Sequence, residues 1–357
     1  MKVLVAGEFR WKFYHESCCK ALETNGHEVI RFGWTHIFFD WIDNLPEPVY
    51  KTVLHRIQYG LLWGPLIVKI NKNFIFKCIN EKPDVIWLHM ATVIRPGAIK
   101  SVKSHLPSCK IVVYTHDNPF AEDAKNRVWK NFYKSIPLAH IRIAHRHADF
   151  QGYQGYGQKA NFLMRSYFIP QEEFPLPVNK VPVNFHCDFV FAGHFEDDGR
   201  VQYIERLMHL GYKVNLFGGG WNDNSMRLSD NSPIKNLLPI YPAVGENYRF
   251  AINGANVALS FHSTLNQDTY TTRSFQIPAM KTTMLSVYSD DLASIYTENE
   301  ISFFSDIEGF EQKARKLISD EQLRRDKAEA AFNRVYNDGH DINSRMKYMM
   351  HKIYEND

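Results

Sequence analysis

The sequence of 357 residues contains no apolar run as long as the eighteen or so residues that a membrane-spanning helix needs. It opens directly on a strand-like pattern at residues 1–7, so we expect no signal peptide. It has no internal repeat and no low-complexity segment. We therefore expect a globular, cytoplasmic protein that is long enough for two domains.

Cysteine is scarce, and its placement argues against disulfide or zinc chemistry. The five cysteines are odd in number and form no C-x-x-C pair, which is typical of buried thiols in a reducing compartment. Three histidines, His140, His145 and His147, are spaced so that they would not share one face. We predict no metal site and no bound cofactor. The cysteines are Cys18, Cys19, Cys78, Cys109 and Cys187.

A dinucleotide-binding fingerprint is also absent. Gly7 follows the first apolar run, but no G-x-G-x-x-G motif occurs there. That motif places the pyrophosphate of a dinucleotide at a helix N-terminus, so we expect no dinucleotide in the first half of the chain.

Net charge is only +3, but it is unevenly distributed. Residues 1–182 carry 24 Lys and Arg against 15 Asp and Glu, whereas the remaining residues carry 18 against 24. This asymmetry indicates an anionic partner for the first half, such as a membrane surface or a phosphorylated lipid. A solvated basic surface is the alternative. No nucleic-acid-binding module is recognisable, so we expect no nucleic acid partner.

Apolar runs alternate with helical patterns in two blocks. The first block opens with a strand at 3–6, a helix at 16–25 and a second strand at 27–33. The pattern restarts at residue 189, after the segment 168–185, which contains four prolines. Such alternation predicts two doubly wound α/β domains, each with a parallel sheet, facing a central cleft. The predicted parts are a first domain at 1–170, a linker at 171–185, a second domain at 186–338 and a C-terminal helix at 339–357 that could return to the first domain.

Residues 34–80 are unusually rich in aromatic and aliphatic side chains interleaved with Lys and Arg. From Val49 onward the apolar residues recur at helical spacing, which favours a helical hairpin packed on the sheet. The alternative is a partly exposed face that lies on a membrane or binds a lipid-linked acceptor. Gly60, Gly64 and Pro65 interrupt the pattern, so one long helix is not expected.

The segment 256–288 has the pattern of an anion-binding unit. It reads as a strand at 256–262, a loop rich in hydroxyl groups, a helix at 274–281 and a strand at 283–288. Arg273 lies where the loop meets the helix and offers a planar cation to phosphate oxygens. The alternative is an ordinary strand–loop–helix unit in which Thr and Asp cap the helix.

Two glycine turns are expected close to this unit, because strand ends of a parallel sheet meet at one edge. They are Gly193-His194, and Gly218 and Gly219 with the glycine that follows them. Glycine lets backbone N–H groups approach a phosphate or a base without an intervening side chain.

In the first domain the best candidates are His116 and Asp117, which follow a strand that ends at residue 114. Either side chain could orient a bound ligand or act as a general base toward a hydroxyl group. The alternative is a simple Asx-type turn before Pro119. Three further residues are placed on the acceptor side, namely Glu8, Arg10 and His89.

Four segments carry a resemblance to a known family: FVFAGHFEDDGR (189–200), LFGGGW (216–221), RSFQIPAMKTTMLS (273–286) and HDINSRMKYM (340–349). The chain resembles glycosyltransferases of the GT-B fold, and most of all the CgeB-like and group-1 families. The resemblance implies metal-independent, hexosyltransferase-like transfer from a nucleotide-diphosphate sugar to a glycan, lipid-linked or other hydroxyl acceptor, as in polysaccharide biosynthesis. The alternatives are a nucleotide-sugar epimerase on the same fold and a non-enzymatic protein that binds an anionic polymer.

The resemblance also suggests roles for individual residues. Many retaining members carry two glutamates seven residues apart, and the matching positions here are Asp268 and Gln276. This departure leaves both retaining and inverting stereochemistry open. The resemblance implies that Gln276 meets the ribose and that Arg273 neutralises the diphosphate. The catalytic set is expected to be His116, Asp117, Asp268 and Arg273. The expected donor-binding set is Gly193, His194, Arg200, Gly218, Gly219, Tyr241, Thr271, Thr272 and Gln276.

Overall fold

The computed structural model describes residues 1–11, 13–40, 49–50, 53–121, 126–223 and 228–355. It divides into two compact units. Unit 1 comprises Met1–Arg165 together with Ile342–Asp357, and unit 2 comprises Ser166–Asp341. The expectation of two α/β domains is therefore confirmed.

Unit 1 is built on a six-stranded parallel sheet in the order β2-β1-β5-β6-β7-β8. Strands β1 and β5 consist almost entirely of buried residues, as expected for strands with both faces covered. The strands are β1 (Lys2–Gly7), β2 (Glu28–Gly33), β5 (Val85–His89), β6 (Lys110–Tyr114), β7 (Ile141–Ala144) and β8 (Phe162–Leu163), with a separate antiparallel pair, β3 (Phe39–Asp40) and β4 (Val49–Tyr50).

Helices connect these strands and cover the sheet. The hydrophobic core beside the sheet includes Trp34, Phe38, Phe74 and Trp129. The helices are α1 (His15–Thr24), α2 (Thr35–Phe38), α3 (Val53–Leu61), α4 (Pro65–Glu81), α5 (Pro96–His105), α6 (Asn126–Ser135) and α7 (His147–Gly155), with a 3₁₀ turn at Ile136–Leu138. Residues 122–125, which precede α6, lie outside the described residues.

The last helix, α14 (Ile342–Glu355), belongs to unit 1 and packs against α1. Its buried side chains include Met346, whose Sδ lies 3.7 Å from the Cys18 Sγ. The amide of Asn25, at the end of α1, donates to the Asn343 carbonyl oxygen at 2.9 Å. The chain thus returns to its first unit, as the sequence suggested.

The described part of the aromatic segment forms the expected interrupted helical pair. Gly64 precedes α4 with φ of 122°, a conformation that suits glycine, and Pro65 occupies the first turn, where its missing N–H costs nothing. Helix α3 ends at Leu61, so the pair is broken at Gly64 and Pro65, whereas Gly60 lies within α3 and does not interrupt it. Residues 41–48 and 51–52 of the segment lie outside the described residues.

Unit 2 contains a five-stranded parallel sheet in the order β10-β9-β11-β12-β13. The strands are β9 (Cys187–Ala192), β10 (Val214–Phe217), β11 (Ala255–Ser260), β12 (Thr283–Val287) and β13 (Ser302–Phe304). The helices are α8 (Arg200–His209), α9 (Glu246–Asn253), α10 (Arg273–Ala279), α11 (Asp290–Ala293), α12 (Ile307–Ser319) and α13 (Glu321–Asn337), with 3₁₀ turns at Val178–Lys180, Val183–Phe185 and Pro233–Leu237.

The unit boundary differs from the predicted one. Unit 2 starts at Ser166 rather than after a linker, because Phe168 and Glu173 are buried within it. Phe168 also pairs with Asp341 in an isolated bridge, so the chain enters and leaves unit 2 at neighbouring points. The proline-rich composition predicted a separate connector, but these buried contacts make the first part of the segment a structural part of unit 2.

All five cysteines are buried and free, as predicted. Over the described residues, every helix is too short or too polar to cross a bilayer.

Candidate functional site

In unit 2 the ends of β9 and β10 approach each other so closely that only glycine fits. Gly218 has φ of 151°, and a Cβ built on it would lie 1.8 Å from the Gly193 carbonyl oxygen. The Trp221 indole N–H donates to that same oxygen at 2.9 Å. A Cβ on Gly219 would lie 3.2 Å from the His194 ring. The structure thus brings together both glycine turns that the sequence singled out.

Arg273 lies beside these turns, as the first residue of α10. Its Nη2 donates to the Phe261 carbonyl oxygen at 3.0 Å, and its Nη1 donates to the Ala192 carbonyl oxygen at 3.5 Å. A Cβ on Gly193 would lie 3.1 Å from the Arg273 Nη1. Burial lowers the pKa of Arg273, and the nearby Tyr248 hydroxyl opposes this shift.

The Arg273 guanidinium keeps capacity to bind a ligand. Its Nε is buried and finds no hydrogen-bond acceptor among the described residues. The side chain as a whole is only partly buried. A cation that is partly desolvated, incompletely hydrogen-bonded and still reachable is suited to an anionic ligand.

Arg200, by contrast, is almost fully engaged within the protein. Its Nε and Nη2 donate to the two oxygens of Asp198 at 2.7 and 2.5 Å. Its Nη1 donates to the His194 carbonyl oxygen at 2.6 Å, and its Nη2 reaches the His262 carbonyl oxygen at 3.3 Å. Arg200 therefore joins the loop after β9 to the end of β11, and it supports the site by positioning His194.

Gln276 is part of a chain of side-chain hydrogen bonds. The Tyr248 hydroxyl donates to its Oε1 at 2.8 Å, and its Nε2 donates to a Glu173 carboxyl oxygen at 2.7 Å. Glu173 also accepts the Ile169 backbone N–H. Burial raises the pKa of Glu173 to about 8. The carboxyl group is therefore largely protonated at neutral pH, and the amide of Gln276 is held in one orientation.

The loop before α10 supplies further polar groups. The Thr271 N–H donates to the Ser274 hydroxyl at 3.1 Å, while the Thr271 hydroxyl is buried without a partner among the described residues. The Thr272 carbonyl accepts the Gln276 N–H at 3.1 Å. The Asp268 N–H donates to the Ser263 carbonyl at 2.8 Å. These contacts fix the loop backbone next to Arg273.

Two residues at the rim of this region differ in exposure. Tyr241 is 63% exposed, and its backbone carbonyl accepts the Gly218 N–H at 3.2 Å. His262 follows β11, and its buried Nε2 lacks a hydrogen-bond partner within the described part of the chain. Burial, assisted by Arg273, lowers the pKa of His262 to about 4. A neutral imidazole therefore lies beside the guanidinium at physiological pH.

In unit 1 the predicted residue His116 lies in a cluster of aromatic rings. Its ring stacks on Tyr14 with centroids 3.5 Å apart and an interplanar angle of 17°. His116 Nδ1 and His89 Nε2 share a hydrogen bond at 3.3 Å. The Arg146 Nη2 donates to the His116 carbonyl oxygen at 2.5 Å. Both ring and backbone of His116 are thus held by neighbours.

Two more histidines extend this cluster. The His15 ring lies 4.4 Å from that of His89, and the Tyr114 hydroxyl shares a hydrogen bond with His145 Nδ1 at 3.0 Å. Burial lowers the pKa of His15 to about 4 and lowers the pKa values of His89, His116 and His145 well below their usual value. All four imidazoles are therefore neutral at physiological pH, and the same shift makes each of them a weaker base than an exposed histidine.

Two predicted carboxylates lie in the same region, namely Glu8 of the acceptor side and Asp117 of the catalytic set. Glu8 accepts a hydrogen bond from the Tyr59 hydroxyl, and burial raises its pKa to about 7, against the opposing charge of Arg10. Asp117 Oδ1 lies 3.9 Å from His116 Nε2. Burial also raises the pKa of Asp117, and Arg146 opposes that shift. Unit 1 thus brings Glu8, His89, His116 and Asp117 into one region.

Sequence reasoning missed several residues of both groups. Glu173 and Tyr248 were not identified, because neither lies in a recognisable motif. Tyr14 and His15 were missed because they belong to α1 and the turn before it, and no local pattern places them against β5 and β6. Arg146 was missed as well, although its position directly after β7 was a signal that could have found it.

Among the described residues there is no group of three or more His, Cys, Asp or Glu side chains arranged to hold a metal ion. His140, His145 and His147 are engaged separately. For example, His140 Nδ1 accepts the Ile111 N–H at 2.9 Å.

Comparison with known proteins adds a family model and solved structures. Residues 200–351 match the family model described as glycosyl transferase-like. Sucrose-phosphate synthase from Thermosynechococcus elongatus superposes with a TM-score of 0.65 at 11% identity, over 100% of both chains. HepE from Anabaena, in complex with UDP-glucose, gives a TM-score of 0.63 at 12% identity, over 99% of this chain and 100% of that one. The chain has the GT-B fold.

A third similar GT-B structure is α,α-trehalose 6-phosphate synthase from Burkholderia multivorans, with a TM-score of 0.62, 13% identity and coverage of 99% and 98%. The comparison with curated proteins gives no match. The segment that matches the family model begins at Arg200 and includes Arg273 and Gln276. The turn at Gly193 lies just before this segment, and the turn at Gly218 and Gly219 lies within it.

Proposed function

We propose that the protein is a glycosyltransferase that moves a sugar from a nucleoside-diphosphate donor to a hydroxyl acceptor, without a metal ion. The observation that carries the proposal is Arg273, a reachable guanidinium with an unpaired buried Nε, set beside the glycine turns of Gly193 and Gly218. The match of this region to the glycosyl transferase-like family model supports the same conclusion.

The chemistry requires such a group. Transfer breaks the bond between the sugar C1 and the phosphate oxygen, and the acceptor oxygen forms a new bond to C1. Negative charge grows on the leaving β-phosphate, so a positioned cation lowers the barrier. Arg273 would supply that cation. The backbone around Gly193 and Gly218 would let the diphosphate approach closely.

Tyr248 and Gln276 would contribute to binding of the donor. The phenol of Tyr248 donates to Gln276, which leaves its oxygen able to accept a hydrogen bond from a ligand hydroxyl. Gln276 itself is neutral and already bonded on both sides, so its contact with a ribose would be weaker than that of a carboxylate. Glu173 would act by orienting Gln276.

The acceptor would be activated in unit 1. His116 is neutral and its ring is fixed by Tyr14 and His89, so it would accept a hydrogen bond from the acceptor hydroxyl, and Asp117 beside it would stabilise the imidazolium that forms as the proton moves. Asp117 and Glu8 would orient the acceptor or the donor sugar. A glycan or a lipid-linked alcohol would provide the hydroxyl group.

Substitution of Arg273 tests the proposal. Arg273→Ala should lower the transfer rate by about 10²- to 10³-fold, because one preorganised group at the developing charge is lost. It should also abolish the thermal stabilisation by nucleoside diphosphates, measured with UDP, GDP and dTDP. UDP is the first choice because similar structures of HepE were solved with UDP or UDP-glucose.

The matched control is Arg325→Ala, which removes an arginine that is 71% exposed at its side chain and lies in α13. It should leave both readouts unchanged. If Arg273→Ala keeps full activity and is stabilised by nucleotides as the unchanged protein is, the assignment of this site is wrong. Incubation with the donor alone distinguishes a glycosyltransferase from an epimerase, because an epimerase would alter the donor sugar without any acceptor.

A further inference from the structure

Helix α3 presents its apolar side chains to solvent and buries a polar one. Val53, Leu54, Ile57 and Leu61 are 70, 63, 49 and 44% exposed, whereas Gln58 is 6% exposed. A helix on the surface of a water-soluble protein normally buries its apolar side chains and exposes its polar ones. Residues 53, 57 and 61 are spaced four apart, so they form one continuous apolar stripe along the helix.

Specific contacts hold the helix in this orientation. The Gln58 Oε1 accepts the backbone N–H of Leu66 at 2.8 Å, in the first turn of α4. The Tyr59 hydroxyl donates to Glu8. Gln58 and Tyr59, two of the polar side chains of α3, are thus used inside unit 1. The outward direction of the apolar stripe is therefore fixed by buried hydrogen bonds, and it does not result from a loosely attached helix.

The stripe continues into the turn and onto α4. Trp63, between the two helices, is 69% exposed. On α4, Val68 and Phe76 are 40 and 68% exposed, and Lys72 lies between them at a spacing of four residues. We name the exposed residues of α3, Trp63 and α4 the α3–α4 surface.

The charges of this surface are all of one sign as far as residue 80, and Glu81, the last residue of α4, is the first acidic side chain. Residues 48–80 contain five Lys or Arg and no Asp or Glu. Arg56, Lys69 and Lys72 are exposed beside the apolar residues. A large exposed apolar patch marks a surface that meets a partner. Apolar and aromatic side chains combined with basic ones are typical of helices that lie in the interface of an anionic bilayer.

We propose that the α3–α4 surface binds an anionic lipid bilayer, with the stripe of α3 and Trp63 entering the boundary between headgroups and acyl chains. Arg56, Lys69 and Lys72 contact the anionic headgroups. This inference is independent of the glycosyl transfer proposed above, because it concerns residues outside both candidate groups.

Vesicle flotation of the full chain tests the proposal. The protein should float with vesicles of phosphatidylcholine that contain anionic phosphatidylglycerol, and this binding should weaken as salt is raised. The double variant Ile57→Gln, Leu61→Gln should bind about tenfold more weakly, because it removes the inserted apolar groups. Lys69→Gln with Lys72→Gln should lower binding to anionic vesicles by roughly fivefold per lysine.

The matched control is Val178→Gln with Val183→Gln, which changes two valines of unit 2 that are 69 and 78% exposed. It should float as the unchanged protein does. Far-UV circular dichroism and melting temperature establish that each variant is folded. Failure to float with anionic vesicles, or equal flotation of the Ile57→Gln, Leu61→Gln variant, overturns the proposal. The proposal is also overturned if light scattering shows that the unchanged protein is a dimer and that the Ile57→Gln, Leu61→Gln variant is a monomer. A second copy of the chain would then cover the surface.

Discussion

Two arginines of unit 2 show how the surroundings of a side chain decide its use. Arg200 and Arg273 both lie near the Phe191 ring, with Cζ 5.6 and 5.4 Å from its centroid. Arg200 has a carboxylate partner in Asp198, whereas the hydrogen bonds described for Arg273 go to backbone carbonyls. Carbonyls do not neutralise a cation. Arg273 therefore keeps its attraction for an anion, and Arg200 serves to hold a loop.

Glu173 should make the stability of the protein depend on pH. Its pKa is raised from 4.5 to about 8 by burial. As pH rises from about 4.5 to 8, the unfolded chain loses this proton while the folded protein keeps it, so the folded state loses stability. Glu173→Gln cannot titrate, so its melting temperature should fall less steeply across this window. The exposed neighbour Glu172→Gln is the control and should follow the unchanged protein.

Thermal melts at intervals between pH 5 and 8.5 measure this difference. Equal slopes for the Glu173→Gln variant and the unchanged protein would contradict the assignment. Such a residue could not be predicted from the sequence, because its partner Gln276 is 103 positions away. Arg273 could be predicted, since its place at a strand–loop–helix junction is a local feature.

At the scale of elements, the strands were the most predictable part. The expected strand at 256–262 is β11 (Ala255–Ser260), and the expected helix at 274–281 is α10 (Arg273–Ala279). Buried apolar runs and polar loops are patterns of consecutive residues, so these elements can be recognised from the sequence. The contact of the two glycine turns depends on β9 and β10 being neighbours in the sheet, a strand order that the local sequence pattern does not specify.

Gly218→Ala should disrupt the glycine turns. The new Cβ would lie 1.8 Å from the Gly193 carbonyl oxygen, so the backbone between β9 and β10 must move. We expect a loss of nucleoside-diphosphate binding of at least about tenfold and a loss of stability of a few kcal/mol. Isothermal titration with UDP and thermal melts measure the two effects.

The control for this change is Gly211→Ala. Gly211 has φ of 85°, but its added Cβ would meet nothing within 4 Å. It should cost roughly 1 kcal/mol of backbone strain and leave nucleotide binding intact. Similar binding losses in both variants would show that strain in the left-handed region, rather than the close approach, matters.

At the scale of the molecule, the two units are not consecutive in the chain. Unit 1 uses α14, whose buried side chains include Met346 and Ile353, to cover α1. The alternation of strand and helix patterns predicted both sheets, and the helical pattern after residue 341 predicted α14. The assignment of residues 166–185 to unit 2 depended on long-range burial, which local composition does not report.

Met346→Ala should destabilise unit 1 by about 2 to 4 kcal/mol, because it leaves a cavity between α14 and α1. Tyr348→Ala, at a position that is 52% exposed on the same helix, is the control and should change stability little. Differential scanning calorimetry measures both. Equal effects of the two variants, or none from Met346→Ala, would show that α14 contributes little to unit 1.

The return of α14 has a consequence for biosynthesis. A ribosome makes residues 1–165 first, yet their partner helix emerges only after all of unit 2 has been translated. Unit 2 is contiguous in sequence and can reach its final structure on the nascent chain. The earlier half cannot be completed until α14 is made, and until then the face of α1 that contacts Met346 is uncovered. The half that is synthesised first is therefore the one completed last.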